Sequence, residues 1–122
     1  MKKLIKATSD ETIGSSFCGY LTATYQFLVE HLGQPNDRTK EGEWRSGDQK
    51  VKAEWAFKTA NKKNAPVITI YDYKDPRPTE AIDLWHIGSK GKVNVEKFLA
   101  DRFPKLNVGI DMRNLRNGKI TN

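Results

Sequence analysis

The sequence predicts an α+β fold in one domain, residues 1 to 122: an antiparallel β-sheet, a meander of three to five strands, with two helices packed on it and a C-terminal arm. Three observations carry this. Apolar residues recur at three- and four-residue steps from Tyr20 to Leu32 and again from Val95 to Phe103, as helices with one buried stripe require. Apolar and polar residues alternate from Val51 to Lys58, the period of a strand with one face on a core. Two further strand-like runs follow between turn residues, which is the pattern of a meander. The length of 122 residues lies in the commonest single-domain range, about 100 to 150.

Leu4, Ile5 and Ala7 form a short first strand, ended by the polar run Thr8 to Thr12. Gly14-Ser15-Ser16-Phe17-Cys18-Gly19 then suits a tight loop whose backbone comes close to another group. The first helix carries Leu21, Tyr25, Leu28, Val29 and Leu32 on its apolar face, and Gly33 with Pro35 stops it. Residues 36 to 50 read as an exposed connection anchored by Trp44. In the strand that follows, Val51, Ala53, Trp55 and Phe57 face the core. Asn61 to Ala65 turn the chain, and Pro66 opens a strand over Val67 to Tyr73, dense in β-branched and aromatic residues. Asp75-Pro76-Arg77-Pro78 ends it, because proline cannot donate to a ladder. Ile82, Leu84, Trp85 and Ile87 make the third strand of the meander, closed by Gly88-Ser89-Lys90-Gly91. Asn94 caps the second helix, which presents Val95, Phe98, Leu99 and Phe103 on one face and stops at Pro104. In the tail, Val108, Ile110, Met112 and Leu115 are spaced as in an edge strand of the same sheet or of a neighbouring subunit. The second option is the more attractive, so residues 105 to 122 are read as an oligomerisation arm.

Apolar residues at 37% and charged residues at 30% place the chain among globular rather than disordered proteins. Lys and Arg number 21 against 15 Asp and Glu, and the net charge of +6 favours anionic partners. Positive charge accumulates around Lys63 and from Arg113 to Lys119. Cys18 has no second cysteine to pair with in the chain, which points to a reducing compartment. No apolar run follows the basic start Met1 to Lys6, and no stretch approaches the roughly 20 apolar residues of a membrane helix. A cytosolic protein without a membrane partner is expected.

Candidates for chemistry are few. A zinc site takes about four ligands at short spacing, whereas this chain has one Cys and two His, His31 and His86, in different elements. No metal site and no cofactor are therefore expected. Neither a G-x-S-x-G elbow nor a Walker or dinucleotide fingerprint occurs, so no catalytic residue is assigned. Cys18 stands beside the start of the expected first helix, where a thiol pKa falls, but a lone cysteine is more often simply buried. His86, between Trp85 and Ile87, reads as a structural residue before a general base. The Gly14 to Gly19 loop offers amides for a phosphate oxygen, or else is a turn that needs glycine. Arg113 and Arg116 beside Asn114 are planar donors suited to pyrophosphate or base edges, or else part of a solvated basic tail. With Phe17 and Trp85 as stacking rings and Ser16 in the loop, the ligand-binding set is Arg113, Arg116, Asn114, Phe17, Trp85 and Ser16.

The series Gly14, Gly19, Tyr25, Leu28, Gly33-Gln34-Pro35, Glu54-Trp55-Ala56-Phe57, Ile70-Tyr71-Asp72-Tyr73-Lys74 and Trp85-His86-Ile87-Gly88 resembles, in that order, a family of small bacteriophage proteins. The resemblance spans about residues 13 to 100. Within that group the chain is similar to the phage Thoeris anti-defence proteins that act as nucleotide sponges. The resemblance implies that the protein sequesters, without cleaving it, the cyclic ADP-ribose signal that a bacterial TIR enzyme makes on infection. It places the pockets between subunits of a homo-oligomer, a dimer or hexamer, in the cytoplasm of the infected bacterial host. It also implies that some members hold cyclic oligonucleotides, and that neither cofactor nor turnover is involved. The tail beyond Phe103 lies outside the matching stretch, so the binding set above rests on residue chemistry alone. A reading from another class is an inhibitor that binds a host defence complex, as anti-CRISPR proteins do, through its basic surface.

Overall fold

The computed structural model describes residues 5–38 and 51–112. In chain order they form β1 (Ile5–Lys6), α1 (Ser9–Thr12), β2 (Ser16–Thr22), α2 (Tyr25–Leu32), β3 (Asp37–Arg38), β4 (Ala53–Lys58), β5 (Val67–Tyr71), β6 (Leu84–Lys90), α3 (Val95–Arg102) and β7 (Ile110–Asp111). Short 3₁₀ turns occupy Thr79–Ala81 and Asn107–Gly109. Every strand pair is antiparallel. Among the described residues the strand order is β1-β4-β5-β6-β2-β7, with β3 also paired to β4. The fold is α+β as expected, with more strands than three to five and with α1 as an additional short helix. Among the described residues no helix is long and apolar enough to cross a membrane.

The largest departure from expectation lies between Gly14 and Tyr25. Ser16 to Thr22 form a strand, and α2 begins only at Tyr25. Thr24 fixes that start, since its Oγ1 accepts a hydrogen bond from the Phe27 N–H at 3.0 Å. Leu21 fits the helical stripe because it stands four residues before Tyr25, yet it reaches the same core from a strand. The end of the helix is as expected, with Gly33 at φ +85°. Asn94 caps α3 through its Oδ1, which accepts from the Lys97 N–H at 3.0 Å.

Leu21, Trp55, Phe57, Ile68, Ile70, Trp85 and Ile87 project from one face of the sheet and meet Tyr25, Leu28 and Leu32 of α2 and Val95 and Leu99 of α3. Both core indoles are satisfied: Trp55 Nε1 donates to the Gly33 carbonyl at 2.8 Å and Trp85 Nε1 to the Ala23 carbonyl at 2.9 Å. On the opposite face, α1 sits at one end, where Ala7, Ala56 and Val67 form a small second cluster. Glu11 of α1 pairs with Lys58 there at 3.0 Å. The rest of that face carries the site described below.

The outer rim of β4 is covered piecewise. β1 pairs with its end and β3 with its start. Between them, the Ala7 N–H donates to the Ala56 carbonyl at 3.0 Å. Asn36 completes the ladder, its Nδ2 donating to the Ala7 and Ala56 carbonyls (3.1 and 2.8 Å) and its Oδ1 accepting from the Ala56 N–H at 3.1 Å. A side-chain amide thus substitutes for a peptide group. Trp44, expected to anchor the connection after Asn36, lies outside the described residues.

The arm begins inside the domain. Ile110 and Asp111 pair with Leu21 and Tyr20 of the same chain, and Leu106 and Met112 are buried. The described part of the arm therefore joins its own sheet, against the preference for a neighbouring subunit. The close approach needs glycine: a Cβ at Gly19 would lie 2.5 Å from the Asp111 carbonyl oxygen and 2.9 Å from Met112 Sδ. Gly19→Ala is accordingly expected to push β7 off the sheet. Hydrogen exchange at Ile110 and Asp111 should rise about tenfold or more while the amides of β5 stay protected, as mass spectrometry would read. Leu115 and the residues from 113 onward lie outside the described residues.

Candidate ligand site on the aromatic sheet face

Phe17 and Tyr20 are three residues apart, so in a regular strand they would point to opposite faces. A bulge at Cys18 removes that constraint: Phe17 pairs with Gly88 and Gly19 with Ile87, leaving Cys18 as the extra residue. Both rings therefore emerge on the face away from α2 and α3, with centroids 5.1 Å apart. In the same register Tyr20 and Tyr71 flank His86 from β2 and β5. Just beyond β5, Tyr73 closes the group.

His86 stands at the centre of four rings, with centroid distances of 5.4 Å to Phe17, 5.1 Å to Tyr20, 5.6 Å to Tyr71 and 5.4 Å to Tyr73. Burial holds its pKa below the ordinary imidazole value, against the opposing pull of Asp72 and Asp75. The ring is neutral at physiological pH. Burial first, with Cys18, Glu54, Tyr73 and Tyr20 contributing, pushes the Tyr71 phenol up to about 12, so it stays protonated. The buried Cys18 thiol is likewise raised by desolvation, only partly offset by a hydrogen bond with Ser89. That is the reverse of an activated thiolate, because Cys18 belongs to a strand and not to a helix start.

Beside the rings a cleft of about 390 Å³ is lined by Tyr73, Lys74, Asp75, Pro76, Arg77, Leu84 and His86. Its wall is held rigidly. Lys52, itself buried, donates from Nζ to the Asp75 carbonyl at 2.7 Å and to the Arg77 carbonyl. The Arg77 guanidinium bonds both Asp75 (2.7 Å) and Asp83 (2.9 Å), and its hydrogen bonds keep the Asp75 carboxyl below the usual range. Lys74 leans over the Tyr73 ring, its Nζ 5.4 Å from the centroid. With Arg77 balanced by two carboxylates, Lys74 is, among the described residues lining this cleft, the cation left to meet an anion. A second cleft, about 620 Å³, lies between the start of α2 and β7, lined by Phe27, Lys105, Val108 and Asp111 among others.

The residues predicted from sequence scatter. Phe17 lies within the ring cluster, half-buried. Ser16 opens β2 opposite Ser89 and is exposed, in a strand rather than a phosphate loop. Trp85 is 0% exposed on the other side of the sheet, with its ring edge-on to Trp55 at 5.3 Å and its N–H bonded, so no face of it is open to a ligand. Arg113, Asn114 and Arg116 lie outside the described residues. Tyr20, Tyr71, Tyr73 and His86 were missed. Tyr71 and Tyr73 show the alternation of a shared face, but placing Tyr20 and His86 beside them requires the strand pairing and the bulge. His31 is remote in role, stacked on Phe27 at 4.0 Å with Nδ1 2.9 Å from the Phe27 carbonyl oxygen. Among the described residues no group of three or more His, Cys, Asp or Glu is placed to hold a metal ion. Comparison with protein-family models, curated proteins and solved structures finds no match to this chain.

Proposed function

We propose that the protein binds a nucleotide against the aromatic sheet face and holds it unaltered, sequestering a cyclic ADP-ribose-type immune signal in the cytoplasm of an infected bacterium. The observation that carries this reading is the set of four rings around a neutral His86, opening onto a cleft with Lys74 at its edge. Half-buried aromatics on a sheet suit the flat faces of bases, each stack contributing about 1 to 3 kcal/mol. Lys74 and the net charge of +6 suit the phosphates. Holding without turnover fits the protonation states: the Tyr71 phenol and Cys18 thiol keep their protons, and His86 is a neutral ring with no carboxylate hydrogen-bonded to it among the described residues. The resemblance of residues 13 to 100 to phage nucleotide sponges narrows the ligand to cyclic ADP-ribose isomers, with cyclic oligonucleotides as a further class, and carries the reading of a dimer or hexamer.

Titration calorimetry with cyclic ADP-ribose isomers tests it. Tyr73, 40% exposed, can be truncated without opening the core, so Tyr73→Ala should weaken binding about tenfold with an unchanged melting temperature. Ligand released by denaturation should run as the starting compound on chromatography. A wild-type chain that gives no heat with any isomer, or that returns a cleaved product, would refute the proposal.

A further inference from the structure

Two polar atoms under the rings have no partner. Thr69 is 1% exposed, and its Oγ1 meets no hydrogen-bond donor or acceptor among the described residues. The same holds for His86 Nδ1. Such atoms are uncommon inside proteins, because a group stripped of water and given nothing in return is destabilising. Two of them on one patch of one sheet face call for a common cause.

The register puts them together. Thr69 pairs with Gly88 and Tyr71 with His86, so Thr69 and His86 are diagonal neighbours on adjacent strands, about 7 to 8 Å apart. Gly88 forms the floor between them. A Cβ there would lie 2.7 Å from Thr69 Oγ1 and 3.4 Å from Tyr71 Cε1, so only glycine lets the hydroxyl settle beneath the tyrosine ring. The roof is made by Tyr71, whose Cε1 lies over Gly88, and by Phe17; their ring centroids are 5.6 and 5.4 Å from that of His86, and both rings are only half-buried on rotatable side-chain torsions.

We infer that Thr69 Oγ1 and His86 Nδ1 are the recognition atoms of the aromatic site, reading the uncharged hydrogen-bonding edge of a nucleobase once the Tyr71 and Phe17 rings swing aside. The inference rests on the nucleotide reading above and adds to it the part of the ligand that is recognised. A hydroxyl both donates and accepts, and a neutral imidazole nitrogen does one or the other according to tautomer. Neither carries charge, so the pair suits a base edge and does not suit a phosphate, which falls to Lys74 at the cleft. The rings then stack on the base that the two atoms orient. The described arrangement is the closed form of the site, in which the roof rests on its own unsatisfied floor.

Thr69→Val separates this from a packing role, since valine keeps the shape and removes the hydroxyl. With no intramolecular bond to lose, the variant should melt at or a few degrees above the wild-type temperature. Its affinity for cyclic ADP-ribose isomers should fall about tenfold or more, while Thr69→Ser, which restores the hydroxyl, should recover most of it. Binding of ribose 5-phosphate, which has no base, should be the same in all three proteins. A Thr69→Val protein melting well below wild type would mean that the hydroxyl is bonded in the native state, and would overturn the inference. Wild-type affinity in Thr69→Val would overturn it too while leaving the nucleotide reading intact. A wild-type protein that binds no cyclic ADP-ribose isomer would remove both.

Discussion

Replacing Trp85 with alanine should lower the stability of the protein by about 3 to 5 kcal/mol, the range for deleting a fully enclosed aromatic side chain. Trp85 is 0% exposed, meets Trp55 edge-on at 5.3 Å and Tyr25 at 6.4 Å, and ties β6 to the segment before α2 through its bond to the Ala23 carbonyl. Truncation would open a large void at the centre of the core and remove the donor to that carbonyl. For a domain of this size the loss is a large part of the whole stability. Urea denaturation followed by circular dichroism measures it. Trp85→Phe retains most of the volume, should cost about half as much, and keeps the fold for binding experiments. Its affinity for cyclic ADP-ribose isomers should equal that of wild type; a tenfold loss in the folded variant would return Trp85 to the binding site.

The second large effect is expected at Asp72. The side chain is 0% exposed, and its Oδ1 accepts from the N–H groups of Lys52 and Ala53, each at 2.9 Å. One carboxylate thereby fastens the approach to β4 onto the end of β5. Lys52, held by that contact, fixes the carbonyls of Asp75 and Arg77 that shape the cleft. Asp72→Ala leaves two backbone donors without their acceptor and should cost about 3 kcal/mol or more, since hydrogen bonds to charged groups contribute about 1.5 to 3 kcal/mol each. Asp72→Asn keeps an acceptor oxygen and should lose less than half of that. Because the cleft wall hangs from this anchor, Asp72→Ala should also weaken cyclic ADP-ribose binding, whereas Trp85→Phe should not. Urea titration and calorimetry on the same two variants would separate scaffold from site.

The alternation around Trp55, the dense run from Val67 to Tyr71 and the Asn94 cap were legible because each is a local pattern that tertiary structure had no reason to override. The segment from Gly14 to Thr22 was not. Glycines that look like loop residues are there for two other reasons: Gly14 turns the chain at φ +92°, and Gly19 lets β7 lie against β2. Gly88 was likewise taken as a strand terminator, yet it lies within β6, because the atom that needs its missing side chain is Thr69 on the neighbouring strand. The aromatic site was hidden for the same kind of reason. Its rings come from β2, β5, β6 and from Tyr73, two residues past the end of β5, and a one-residue bulge decides which way Phe17 points. Such information resides in pairing between distant segments, and no window of the chain contains it.

The amide of Asn36 has a consequence for how copies of this protein can meet. An uncapped sheet border invites a foreign strand to zip on, but along β4 Ala53, Glu54, Ala56, Phe57 and Lys58 are each matched by β3, Asn36, Ala7 or β1. An intruder on that side would first have to evict a side chain that makes three hydrogen bonds. Among the described residues β7 pairs with β2 at Tyr20 and Leu21, so a strand of another chain that zipped onto the far border would meet a shorter paired guard than along β4.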